Sequence, residues 1–223
     1  MKSIKKYETI INEALRSALE YDTPEGQINE FISFFGKHIG SDRIYIFEDD
    51  EEHHVTNNTY EWCAEGITPQ IEHLQGVNME VIDWWYDTFD EGKSVIISDV
   101  EELKGVHQVS YNMLKYQNVR KVVVSPLRHK GQIKGFFGVD NPPEGDYAAL
   151  TLFLDMIGTM LISLLKIRNT FQKEQYNASM GSYSALSEIY LSMHLIDIKT
   201  GKYQLVKTAK YIEDKCEELN SDN

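Results

Sequence analysis

Two cysteines, Cys63 and Cys216, are all that 223 residues contain. They lie too far apart for a Cys-x-x-Cys metal or redox spacing, give no disulfide framework, and suit a reducing, cytoplasmic setting. Positive charge is scarce as well, with 22 Lys and Arg against 35 Asp and Glu and a formal charge of -13. Such a chain is repelled at long range by nucleic acid and by anionic membrane surfaces, so neither is an expected partner. No glycine-rich phosphate loop occurs, and no Ser/His/Asp grouping can be assembled. His38, His73, His107, His129 and His194 share no metal-ligand spacing. His53 and His54 follow Glu51 and Glu52 directly, but four consecutive residues on one turn cannot converge on one ion. The N-terminal lysines are those of a signal peptide, yet Glu8, Asn12 and Glu13 interrupt any apolar segment after them, and no targeting sequence is expected.

What is present is enough apolar residue for a real core, 42% of the chain. The organising stretch is 121–141. Val122, Val123 and Val124 are stiff and β-branched, Lys130 and Gly131 mark a turn, and an apolar run resumes from Ile133 to Val139. Neither arm alternates cleanly, which predicts central strands covered on both faces. Gly135 and Gly138 interrupt the second arm where a helix or a ligand is expected to approach the backbone. A second hairpin is predicted from 43–48 and 55–63, and a short strand at 95–98. Ahead of them, Asp22 or Thr23 caps a helix opened by Pro24 and buried through Ile28, Phe31, Ile32, Phe35 and Ile39. Residues 66–92 read as short helices, Ser98 or Asp99 caps a further turn, and 106–116 is another helix. The order predicts an α+β fold, a largely antiparallel sheet of five to six strands flanked by helices.

Long helices bracket this unit. Ile4, Tyr7, Ile11, Ala14, Ala18 and Tyr21 form one apolar seam; Leu150, Phe153, Ile157, Met160, Leu164, Ile167 and Phe171 form another at coiled-coil spacing. Both seams predict a homodimer. Residues 148–165 are also apolar enough to span a bilayer, but Asp155 argues against insertion, at about 2.5–3.5 kcal/mol near a membrane centre. Beyond Gly181 the composition shifts, and 187–196 with 203–208 reads as a hairpin. The expected parts are a dimerisation helix at 1–22, a sensor domain at 23–145, a connecting helix at 146–178, and a partial domain or docked arm at 179–223.

The residues Ser41-Asp42-Arg43-Ile44-Tyr45-Ile46-Phe47-Glu48, Asn58-Thr59-Tyr60-Glu61-Trp62-Cys63, Ile96-Ile97-Ser98-Asp99-Val100, Ser125-Pro126-Leu127 and Gly135-Phe136-Phe137-Gly138-Val139-Asp140-Asn141-Pro142 resemble a GAF domain, in that family's order. The resemblance covers about 24–165. It is similar to GAF domains preceding GGDEF diguanylate cyclase domains, and the stretch near Ile189 resembles the start of a PAS-like domain. No Gly-Gly-Asp-Glu-Phe sequence occurs, so any cyclase implied by the resemblance lies outside this chain. The signature of cyclic-nucleotide-binding GAF domains and the Cys-His pair of bilin attachment are both missing, so the resemblance names no ligand or cofactor.

The resemblance implies a pocket between the sheet and its helical excursions, with Tyr45, Phe47, Tyr60, Trp62, Trp84, Trp85 and Tyr111 as candidate walls competing with simple core packing. Asp140 either accepts a ligand donor or caps the turn at Asn141 and Pro142. Free methionine sulfoxide reductases use cysteine chemistry on a GAF scaffold, which makes Cys63 a candidate thiol, though no second cysteine stands near it in sequence. The expected function is a noncatalytic small-molecule sensor and dimerisation module. The alternatives are a reductase of that kind and a domain retaining dimerisation alone.

Overall fold

Six strands, β1 (Arg43–Asp50), β2 (Val55–Cys63), β3 (Val77–Asn78), β4 (Val95–Ile97), β5 (Val122–His129) and β6 (Gln132–Asp140), form one antiparallel sheet in the order β3-β2-β1-β6-β5-β4. In this computed structural model the backbone is described over residues 2–145 and 147–200, and side chains over 5–145 and 147–178. The chain divides into two units, Met1–Asn169 and Thr170–Asn223; the first carries the sheet. The α+β architecture expected from the sequence is the one observed.

Period-two alternation sorts the central strands between two cores. Ile44 and Ile46 of β1 and Phe137 and Val139 of β6 join helices α1 (Lys2–Ala18), α2 (Pro24–Ile39) and α5 (Tyr147–Thr200) on one face. Tyr45, Phe47 and Phe136 meet α3 (Asp83–Asp90) and α4 (Gln108–Tyr116) on the other. Both faces of β1, β5 and β6 are thus covered, which is why these strands are apolar at successive positions. Thr23 caps α2, its Oγ1 accepting from Gly26 N at 3.1 Å, and Gly40 ends the helix at φ 78°. Asp99 caps the 3-10 turn at Val100–Leu103. Within 66–92 the structure adds a strand that the sequence does not announce, β3, whose two residues are too few to show alternation.

Three expectations are corrected. The α1 seam does not need a second subunit: Tyr7, Ile11, Ala14 and Ala18 are buried within the chain, and the Tyr7 ring lies 5.7 Å from Phe153. Tyr21 is exposed, and Ile4 lies outside the described side chains. On α5 the buried set is Leu150, Phe153, Leu154, Ile157, Leu161 and Leu165, a broader stripe than a coiled-coil seam, because the helix lies on its own sheet. Second, 187–196 is helical, being part of α5, and not a strand. No glycine or proline occurs between Gly181 and Gly201, so nothing stops the helix, and a short apolar run does not distinguish strand from helix. The companion strand expected at 203–208 lies outside the described residues. Third, what approaches Gly135 and Gly138 is the neighbouring strand: a Cβ at Gly135 (φ 138°) would strike the Phe47 carbonyl, and one at Gly138 the Tyr45 ring.

A similar constraint fixes α2. A Cβ at Gly36 would run into the Trp62 indole and Ile44. In an exposed helix, Gly→Ala gains about 1 kcal/mol; here the sign should reverse. Gly36→Ala is expected to lose about 1–3 kcal/mol in urea unfolding, and Trp62→Phe in the same chain should recover part of it. A stabilised Gly36→Ala protein would show that α2 does not pack this closely on β2.

Candidate functional site

Antiparallel register sets Arg43 opposite Asp140 on β6 and Tyr45 opposite Glu61 on β2. Arg43, Tyr45 and Phe47 share one face of β1, so a buried guanidinium is placed between two carboxylates at the end of an aromatic row. Arg43 Nη1 donates to Asp140 Oδ2 at 2.8 Å and stands 3.5 Å from Gln117 Oε1, while Nη2 donates to the Thr68 carbonyl at 3.0 Å. Nε lies 3.3 Å from Glu61 Oε1, but off the line of a hydrogen bond. Glu61 Oε2 is held in turn by the backbone N–H groups of Gln70 (2.8 Å) and Ile71 (3.1 Å).

The cluster is unbalanced, with one cation facing two carboxylates. Burial pushes the Asp140 carboxyl up to about 6 even though Arg43 pulls it down. Burial, reinforced by the Asp140 charge, drives the Tyr45 phenol well above its ordinary range.

Beside the cluster lies a cavity of about 40 Å³, walled by Phe47, Ile82, Trp85, Leu114 and Phe136 and closed at its polar end by Arg43, Glu61 and Asp140. Three of its lining residues carry buried polar atoms without partners, the acceptor Asp140 Oδ1 and the donors Trp85 Nε1 and Arg43 Nε, the last beside Glu61. Such groups are costly unless a water or a ligand meets them. A polar hollow of about 360 Å³, lined by Asp42, Thr68, Gln70 and Asn118 among others, shares Arg43, Gln117 and Asp140 with the cavity. Arg43, Gln117 and Asp140 therefore lie where an outer hollow and an inner chamber adjoin.

Of the residues singled out from sequence, Tyr45, Phe47, Trp85 and Asp140 line the chamber together. Trp84 and Tyr111 are on the same side of the sheet but engaged elsewhere. Trp84 Nε1 donates to Ser110 Oγ at 3.1 Å and its ring stacks on His107, while the Tyr111 hydroxyl reaches Glu101. Tyr60 and Trp62 face the opposite core, with Trp62 against Gly36 and Tyr60 bonded to Arg168. The alternation of β2 decides this, since Tyr60 and Trp62 share one face and Glu61 takes the other. Asp140 is the partner of Arg43 and does not cap the turn; the neighbouring Asn141 Oδ1 accepts from Arg120 N and Lys121 N, at the entry to β5. Arg43, Glu61 and Gln117 were not singled out. The available signal was Arg43 itself, a charge in an apolar strand that demands a buried partner.

No protein-family model matches the chain, and no curated protein matches it. Solved structures do. The GAF domain from a phosphoenolpyruvate-protein phosphotransferase of Coxiella burnetii superposes with a TM-score of 0.59 at 10% identity, covering 76% of this chain and 98% of that one. The phycocyanobilin-bound GAF domain from a cyanobacterial phytochrome gives 0.57 at 16%, covering 75% and 96%. The free methionine-R-sulfoxide reductase from Neisseria meningitidis, in complex with its substrate, gives 0.56 at 12%, covering 75% and 93%. The fold is therefore GAF-like.

The residues present do not fit a bilin. The chamber holds only a few water-sized volumes, and no described cysteine lines it. Cys63 sits outside it, half-buried, and burial raises its thiol above the ordinary value.

The Asp140 carboxyl holds its proton more tightly in the folded chain, at about 6, than at its ordinary value of 3.8. Its contribution to stability is therefore complete below about pH 4 and is lost as pH rises through about 6, a change of at most about 3 kcal/mol. Urea unfolding across that window should show this fall in the parent and not in Asp140→Asn. Equal slopes in the two proteins would mean that Asp140 does not titrate there.

Proposed function

We propose that this chain is a noncatalytic small-molecule sensor and dimerisation module, whose ligand enters the inner chamber and whose output leaves along α5 to a diguanylate cyclase-type domain outside the chain. The observation that carries the reading is the chamber itself, an apolar pocket with an unpaired buried donor and acceptor at opposite chemical roles. A domain kept for dimerisation alone has no use for that arrangement. A thiol reductase, the other alternative, would need an ionised cysteine at the site, and Cys63 is off the chamber with its thiol raised.

A physical link joins the chamber to α5. Phe47 lines the chamber, and the next residue, Glu48, receives Arg168 of α5 in a bidentate pair at 2.9 and 2.7 Å. Arg168 also donates to the Tyr60 hydroxyl at 3.1 Å and lies over its ring, 5.4 Å from the centroid. Fork-to-fork pairing of this kind is directional as well as strong, so a movement of β1 is felt by the helix. The outer side of α5 leaves Leu152, Met156 and Ile167 exposed, and a second copy of the helix is the partner proposed for them. Among the described residues, α5 is also the one helix long and apolar enough to cross a membrane. Its apolarity is accounted for by the sheet it covers on one side and the proposed partner on the other.

Replacing both Leu152 and Met156 by Glu should give a monomer in sedimentation at micromolar concentration with little change in unfolding temperature, because neither side chain is buried in the chain. A persisting dimer would remove α5 as the interface. Arg168→Ala should leave ligand affinity unchanged within about threefold and abolish any ligand-induced change in hydrogen exchange along α5. Should the change survive, the signal runs by another route.

A further inference from the structure

We propose that the ligand of the inner chamber is a small organic cation, an ammonium or amidinium group on an apolar body of one or two carbons. This deepens the sensor reading and rests on it for the identity of the chamber. Three observations select the class. The guanidinium of Arg43 is already engaged by Asp140 Oδ2 and the Thr68 carbonyl, and its unpaired Nε stands 3.3 Å from the Glu61 carboxylate, so an incoming anion would have to compete with that carboxylate. Asp140 Oδ1, by contrast, is buried and receives no hydrogen bond of good geometry, the Tyr45 hydroxyl being the neighbour that interacts with this carboxyl. The charged and titratable groups around it are Arg43 and Tyr45 from β1 and Glu61 and Cys63 from β2, with the neutral Gln117 beyond α4 and Asp42 at the rim of the outer hollow.

Their sum is one positive group against two carboxylates, a deficit of one positive charge at the closed end of an apolar chamber. An ammonium placed against Asp140 Oδ1 would balance that deficit and meet the unpaired acceptor with a charge-assisted hydrogen bond. The remaining walls are hydrocarbon and aromatic, Phe47, Ile82, Trp85, Leu114 and Phe136, which suits the body of the ligand and lets a π-face meet the cation. The small volume, about 40 Å³ before any adjustment of the walls, sets the upper size. The outer hollow carries Asp42 and Asp140 on its lining, so the approach favours the same charge.

The test uses the full chain with methylammonium and ethylammonium as probes, against methanol, ethanol, formate and acetate at matched ionic strength. Binding is read by calorimetry and by tryptophan fluorescence. The two amines are expected to bind and the alcohols and carboxylates not to. Affinity for the amines should fall about tenfold from about pH 7.5 to about pH 5 as Asp140 takes up its proton. Asp140→Asn should lose the amines; if that protein does not fold, the pH dependence of the parent decides the matter.

Equal binding of alcohols and amines, preference for the carboxylates, or amine binding that does not weaken at acid pH would each overturn the proposal. So would no binding of any probe, which would leave buried water as the partner of Asp140 and Trp85. The two readings fail separately. Amines that bind without altering hydrogen exchange along α5 would refute the sensor and keep the ligand class, whereas a neutral or anionic metabolite that binds and alters α5 would do the reverse.

Discussion

Taking a guanidinium out of water is the costly step on which this fold's site depends, and Arg43 does it at the junction of three strands. β1 brings the cation, β6 brings Asp140 and β2 brings Glu61, so the pairing of these charges is also the pairing of the strands. A buried ion pair is weak support for stability, because desolvation offsets most of the attraction, while removing one partner costs about 3–5 kcal/mol. A hydrophobic triad would hold the strands as well. What the ionic version adds is register, since a one-residue slip of β6 would carry Asp140 to the helix-covered face and leave Arg43 uncompensated among aromatic rings. It also adds an unspent acceptor. Asp140 gives one oxygen to Arg43 and keeps the other, and the chamber is built against the one it keeps.

Glycine makes the geometry possible. Gly138 lets the Tyr45 ring lie flat across β6, and Gly135, at φ 138°, lets the Phe47 carbonyl come close to the strand. Side chains at either position would lift β1 from β6 and open the cluster. The two glycines thus serve the site through the neighbouring strand, which is why both of the approaches expected from sequence, a helix or a ligand, were one layer too far out. Backbone contact across a sheet leaves no trace in the composition of the partner strand, so the identity of the neighbour was not legible.

Much of the fold was legible because it is local. Thr23-Pro24 and Gly40 bound α2, the β-branched run and Lys130-Gly131 mark the central hairpin, and the doubly apolar strands report cover on both faces. The face of each residue was harder. β2 carries Tyr60, Glu61 and Trp62 in succession, and counting aromatics alone chose the two that look toward α2 and α5 in place of the carboxylate that looks toward the chamber. Counting from charge would have done better: Arg43 and Asp140 are the charged residues in otherwise apolar strand segments, and each requires the other. The α1 and α5 seams misled for a different reason. A seam shows that something covers the helix but not whether it is the chain's own sheet, its neighbouring helix or another subunit.

β1 belongs to both cores, as β5 and β6 do, and it alone carries both Arg43 and Glu48, which sets how the proposed signal would cross the sheet. Its odd residues face the chamber and its even residues face the helices, so no side chain spans the layers; only the strand's own position is common to them. In the proposed reading, a ligand at Asp140 would act on β1 through Arg43, and α5 would sense β1 through the Glu48–Arg168 pair at the strand's other end. These two contacts sit on residues 43 and 48, so a shift along the strand, or a change at the bulge where the extra β2 residue Thr59 faces the step from Ile46 to Phe47, would alter one contact when the other moves. A bulge has discrete arrangements where a regular ladder has one. A ligand that prefers one arrangement tenfold changes their ratio by about 1.4 kcal/mol, within the reach of a single charge-assisted hydrogen bond. In the proposed reading, the irregularity between β1 and β2 is therefore the place where a small ligand would have enough energy to be heard by a long helix.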